Sequence, residues 1–290
     1  MTALLAAARA VHLMSLMTIL GGSAYSALLR RGNLVEPPAT SIRILFVIAA
    51  ALALMSGLVW FCLIAGQMSG SWQGSVDPSV LRLAASATRF GHIFAARFIG
   101  LIGLCFLCML MDRPAGAVLA ILAGLLLVSL APISHAAASG GDIAVVGAAS
   151  DATHLLAAGL WLGGLMALAL VIRRCWGEAA ALMGPLRIFS ILGTVVVIFL
   201  MLSGVANALS ILPLRTMALH NPYFDLLLVK IALALVMAGL ASLNRWRFAP
   251  AMPTGGGGAV RRLATSVGVE LALGLFIVTI VGYLGTMAPH

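Results

Sequence analysis

Apolar residues in this chain come in long unbroken runs and do not alternate with polar ones. Eight runs stand out, over roughly residues 3–29, 43–66, 90–111, 115–134, 150–172, 187–211, 223–244 and 264–286, each near the about 20 residues a helix needs to cross a bilayer. Barrel strands would be shorter and would alternate in hydropathy. The pattern therefore predicts an all-α fold: a polytopic membrane helical bundle of about eight transmembrane helices, forming one domain over residues 1–290. Two connections are longer than the rest. Residues 67–89 can form a surface helix or cap, and residues 250–260, with four consecutive glycines, read as a flexible linker.

Composition agrees with the pattern. Charged residues make up 9% of the chain, against about a quarter in a soluble domain. The net charge of +9 does not point to nucleic acid, because the arginines sit in short loops and no aromatic-rich basic patch accompanies them. Their placement instead sets an orientation. Arg30, Arg31, Arg43, Arg113, Arg173, Arg174, Arg187, Arg245, Arg247, Arg261 and Arg262 fall in one set of connections, and only Arg82, Arg89 and Arg215 in the other. Positive loops face the cytoplasm, so both termini are expected on the periplasmic side, with the lipid bilayer as the chain's main partner. Arg30 and Arg31 after the first run mark a retained span, not a cleaved leader. The four cysteines lie in or beside apolar runs and form no disulfide framework.

In this orientation no histidine falls in a cytoplasmic loop or inner half-span. His92 opens the third run, His135 closes the fourth, His154 opens the fifth, and His12 lies about 15 Å into the first at helical rise. His220 and His290 occupy an outer loop and the tail. Imidazole is the commonest protein ligand for a metal and suits copper and zinc. The alternative for each is a histidine hydrogen-bonded to a neighbouring carbonyl or hydroxyl. Asp151 precedes His154 by three residues, so the two share a helix face. Asp151 could hold the second ring N–H of His154, or cap the helix that starts there. Gly140, Gly141 and Asp142 read as a turn bringing His135 and His154 together.

Deeper in the bilayer lie four further candidates. Cys105 and Cys108, one turn apart, could take a soft cation or pack as small apolar groups. Glu270 and Asn207 are polar groups within spans, suited to a cation path, a proton relay or interhelical hydrogen bonding. Arg97 and Arg187 are candidate partners for Glu270. Met55 and Met201 are mid-span thioethers. Gly159, Gly163 and Gly164, beside Trp161, predict a close helix–helix contact.

Together these segments carry a resemblance. SHAAA at 134–138 and D-x-x-H-LLAAGLWLGGL at 151–165 are accompanied by FGHIFAARFIGL at 90–101 and SGVANA at 203–208. KIALALVMAGLASLNRWR at 230–247, RRLATSVGVELALG at 261–274 and YLGTMAP at 283–289 complete the set. In this order and in an eight-span chain, they resemble the CopD copper-resistance family of bacterial inner-membrane proteins. The resemblance implies a multi-pass inner-membrane protein that binds copper, as Cu(I) or Cu(II), on its periplasmic side and moves it toward the cytoplasm. It implies a small CopC-type periplasmic carrier as partner. Copper would bind through His135 and His154, with His92 and His12 nearby, and pass inward along Cys105, Cys108, Glu270 and Asn207. No nucleophile–base pair suggests an enzyme. Histidines on neighbouring helices could equally ligate haem in a membrane cytochrome, or hold copper in a non-transporting scaffold or sensor.

Overall fold

The computed structural model describes residues 1–110, 116–133, 141–211, 222–250 and 252–287. Those residues form helices and no strand. In chain order they are α1 (Thr2–Arg31), α2 (Ala39–Met68), α3 (Pro78–Ala87), α4 (Arg89–Leu110), α5 (Gly116–Val128), α6 (Gly141–Arg174), α7 (Ala179–Ile211), α8 (Pro222–Leu243) and α9 (Met252–Leu284). Seven of them are long and apolar enough to cross a membrane.

The eighth expected span differs. Residues 115–134 are expected as a full-length span, whereas α5 has 13 residues, a rise of about 20 Å at helical geometry; the chain still passes from one side to the other here, because α4 and α6 both end on the side of the α1–α2 loop. Helix α5 ends before a 3-10 turn at Ala131–Ile133. Pro132 accounts for the break, since it supplies no N–H and disfavours α geometry at the residue before it. α5 packs along α1 from Gly116, opposite Ser23 and Ala27, to Gly124, opposite Leu20.

Helix α1 is the hub, packed against α2, α5, α6 and α9. Its contact with α6 is backbone against backbone, as the glycine spacing predicts. A Cβ on Gly163 would stand 2.1 Å from the Met17 carbonyl oxygen, and one on Gly21 would stand 2.3 Å from that of Gly159. Trp161 of α6 is also buried. At the far end of α1, Arg30 pairs with Glu36 at 2.8 Å, and Arg174 donates to the Glu36 carbonyl at 3.0 Å. This ties the α1–α2 loop to the end of α6. Helices α7 and α8 lie outside, with many large apolar side chains exposed on their outer faces.

The 67–89 connection does contain a helix. Asp77 caps α3 by accepting from the Ser79 amide at 2.8 Å, and Pro78 takes the first helical position. Two other connections differ from expectation. Residues 252–260 are the first turns of α9, not a linker. Ala259 and Val260 at their end are buried in the core, so tertiary packing overrides the low helix propensity of the glycine run. Helix α6 likewise starts at Gly141. Gly141 and Asp142 therefore belong to its first turn, and Asp151 lies well inside the helix and cannot cap it.

Candidate metal centre and the polar clusters between helices

Three polar clusters interrupt the apolar interior, each built from several helices. The first surrounds His12, which is fully buried. Its Nδ1 lies 2.8 Å from the Ala53 carbonyl oxygen of α2, which can only accept. Nδ1 therefore carries the proton and Nε2 the lone pair. Arg97 of α4 donates to that Nε2 at 2.5 Å and also to the Leu126 carbonyl and the Ser129 hydroxyl. The ring stands edge-on to Trp60 at 5.7 Å, and the Arg9 guanidinium covers the Trp60 ring at 4.5 Å. Among the described residues no carboxylate pairs with Arg9 or Arg97. A cation ligated by His12 would have to displace Arg97 and then sit beside it. Two like charges about 4 Å apart repel by about 4 kcal/mol at an effective dielectric near 20.

The second cluster joins α6, α7 and α8 at the end where α6 and α8 begin and α7 finishes. His154 of α6 has its Nδ1 3.1 Å from Ser203 Oγ of α7. That hydroxyl gives its own proton to the Phe199 carbonyl at 2.6 Å, so it accepts from His154 Nδ1–H. The lone pair is then on Nε2. Ser150 anchors the same stretch by donating to the Ser203 carbonyl at 3.1 Å, and Gly204 leaves room for the imidazole. Among the described residues no bond joins Asp151 to His154, the pairing the sequence suggested; the Asp151 Oδ1 accepts from Asn207 Nδ2 at 2.9 Å. Asn207 is thus part of the His154 cluster, not a step inward from it. Lys230 of α8 acts electrostatically on both His154 and Asp151.

The third cluster is smaller. Buried Glu270 of α9 accepts from Asn244 Nδ2 at 2.5 Å. The expected partners are engaged elsewhere or absent: Arg97 belongs to His12, and no bond links Arg187 to Glu270 among the described residues.

The remaining candidates stay apart. His92 is exposed at the start of α4, where its Nε2–H donates to the Ser86 carbonyl at 2.9 Å. Cys105 is half-buried and Cys108 buried, both as free thiols. Met55 is 57% exposed on the outer face of α2, which removes it from any interior path. His135, His220 and His290 lie outside the described residues. Among the described residues, no three His, Cys, Asp or Glu side chains converge as a metal site.

Ser150, Ser203 and Lys230 of the His154 cluster escaped the sequence reading. Ser203 stood in a recognised segment with no chemistry attached to it. Lys230 was visible as an ionisable residue in mid-span, the same signal that singled out Glu270.

Long apolar helices enclosing small polar clusters define a multi-pass membrane protein. Comparison with known proteins narrows this class. The family model described as Copper resistance protein D-like, N-terminal domain, matches residues 1–145, and that described as Copper resistance protein D matches residues 183–284. Copper resistance protein D of Pseudomonas syringae pv. tomato is 30% identical over 276 residues, covering 90% of this chain and 87% of that protein. Inner membrane protein YebZ of Escherichia coli (strain K12) is 27% identical over 286 residues, covering 98% of this chain and 97% of that protein. No solved structure matches. The chain belongs to the copper resistance protein D (CopD) family.

Proposed function

We propose that this protein is a copper carrier of the bacterial inner membrane, taking copper at its periplasmic face and passing it toward the cytoplasm. The observation that carries this reading is the state of His154. Ser203 holds its Nδ1 proton, so Nε2 presents a lone pair in the tautomer a metal requires. Family membership supplies the choice of copper, and the name of the Escherichia coli relative supports the inner membrane. The arginine-rich loops support periplasmic termini and, with them, a His154 cluster on the periplasmic side. His135, six residues before the first residue of α6, is proposed as the second ligand, and Asp151 as the carboxylate that balances the added charge. His12 is left out, because Arg97 holds its lone pair. A CopC-type carrier is the proposed donor, and no bond-making chemistry is assigned to the chain.

Metal analysis of the purified protein tests the site. Copper per chain should fall to near zero in His154→Ala and in the His135→Ala, His154→Ala double variant. Full copper in the double variant overturns the site, and a haem Soret band in the purified protein overturns copper as cargo. Copper bound without flux into proteoliposomes overturns the carrier and leaves a scaffold.

A further inference from the structure

Helix α8 does not end as an ordinary helix. Over Asn244–Phe248 it widens into a π turn, with the Ala249 amide reaching back five residues to the Asn244 carbonyl at 2.9 Å. Such turns are costly and recur at functional positions. This one carries the residue that meets Glu270.

Glu270 is 1% exposed. Its Oε1 accepts from Asn244 Nδ2. Its Oε2, the Asn244 Oδ1 and the Ser266 Oγ are all buried and, among the described residues, have no hydrogen-bond partner. Ser266 precedes Glu270 by four residues on α9, on the same face. A single bare polar atom would be an oddity, whereas two on facing groups, Glu270 Oε2 and Asn244 Oδ1, with a third one turn away on α9, form a pattern, because buried polar groups are almost always paired.

No cation supplies the missing partner. Arg245, next in sequence to Asn244, turns to α7, where it donates to the Ser190 carbonyl and to Thr194. The other charged or titratable groups on neighbouring elements are Asp225 and Lys230 of α8, Arg247 beyond it, Arg261 and Arg262 of α9, and Arg187 of α7. On α6 they are Arg173 and Arg174, with Asp151 and His154 in the other cluster; on α1 they are Arg9, His12, Arg30 and Arg31. Among the described residues, none of them bonds to Glu270 or acts on it electrostatically. The donor set is oxygen alone, which suits a soft copper(I) ion poorly. One proton on Oε2 would turn a bare acceptor into a donor facing the Asn244 amide, so that Oδ1 gains the partner it lacks while Nδ2 keeps its bond to Oε1.

We infer that Glu270 and Asn244 form a proton-binding site, which exchanges its proton as copper crosses the bundle. The step is a proton transfer without redox change. The Oε2 lone pair takes H+ from water to form O–H, and the O–H returns H+ to water when a passing copper charge favours the carboxylate. Only the coupling to copper rests on the carrier reading; the proton site stands without it.

Infrared difference spectra of the copper-free protein test the site directly. A carboxylic acid C=O band should be present at neutral pH, vanish in Glu270→Gln and shift in Asn244→Ala, which removes the amide paired with it. A band that persists in Glu270→Gln, or one that disappears on adding sodium at constant pH, overturns the site. Copper content must stay unchanged in Glu270→Gln; its loss would make Glu270 a copper ligand and overturn the proton reading. Proteoliposomes with an internal pH indicator test the coupling. Copper uptake should be accompanied by proton counterflux that is lost in Glu270→Gln. Copper flux without proton flux overturns the coupling alone. Absence of copper flux in the unmodified protein overturns the carrier and the coupling, while the infrared band still decides the site.

Discussion

Gly163→Leu should leave little or no folded protein, seen as loss of the monodisperse peak in detergent chromatography and of any thermal transition. The first carbon of the new side chain would stand 2.1 Å from the Met17 carbonyl oxygen and 2.8 Å from Gly21 Cα. Both are backbone atoms of the central helix, so no rotamer change relieves the overlap. Overpacking a core typically costs about 1–3 kcal/mol when side chains can move aside; here a helix must move, and the cost should exceed that range. Native stability is only about 5–15 kcal/mol. Gly193→Leu on α7 is the control, because a side chain there meets nothing within 4 Å. Equal melting of both variants would show that α1 and α6 do not pack by backbone contact.

The second large effect is on affinity, and its two halves have opposite signs. Ser203→Ala removes the hydroxyl that accepts from His154 Nδ1–H at 3.1 Å. Losing such an orienting partner commonly weakens metal binding by about 10–100-fold, and copper titration of the purified protein should show a fall of that size. Lys230→Met should tighten binding. Its ammonium acts on His154, and removing a like charge near the site lowers the cost of adding a cation there. If neither substitution moves the affinity, the copper is not held at His154.

The helical bundle was legible in the sequence because a bilayer leaves a chain few alternatives. Unbroken apolar runs fixed seven long helices, and the spacing of Gly159, Gly163 and Gly164 foretold a close contact. Helix ends were not legible in the same way. The glycine run near residue 255 has low helix propensity, yet the burial of Ala259 and Val260 draws it into α9. Asp151 illustrates the limit at the site. Its spacing from His154 put them on one face, but a face says nothing about what the neighbouring helix offers. Asn207 claimed the carboxylate, and Ser203 claimed the imidazole. Arg97 shows the same thing for His12, since a pairing between residues 85 positions apart follows from how α1 and α4 meet.

The glycine contact between α1 and α6 also bears on how the chain is assembled. Helix α1 is made first, yet the surface that receives its Gly21 face includes Gly159 and Gly163, which leave the ribosome well over a hundred residues later. Until then, the first membrane segment waits in lipid with its tightest docking surface uncovered. The match to the N-terminal family model stops at residue 145, before those glycines. A fragment cut there would be inserted but unfinished, and co-expression with the remainder should be needed to rescue it from degradation.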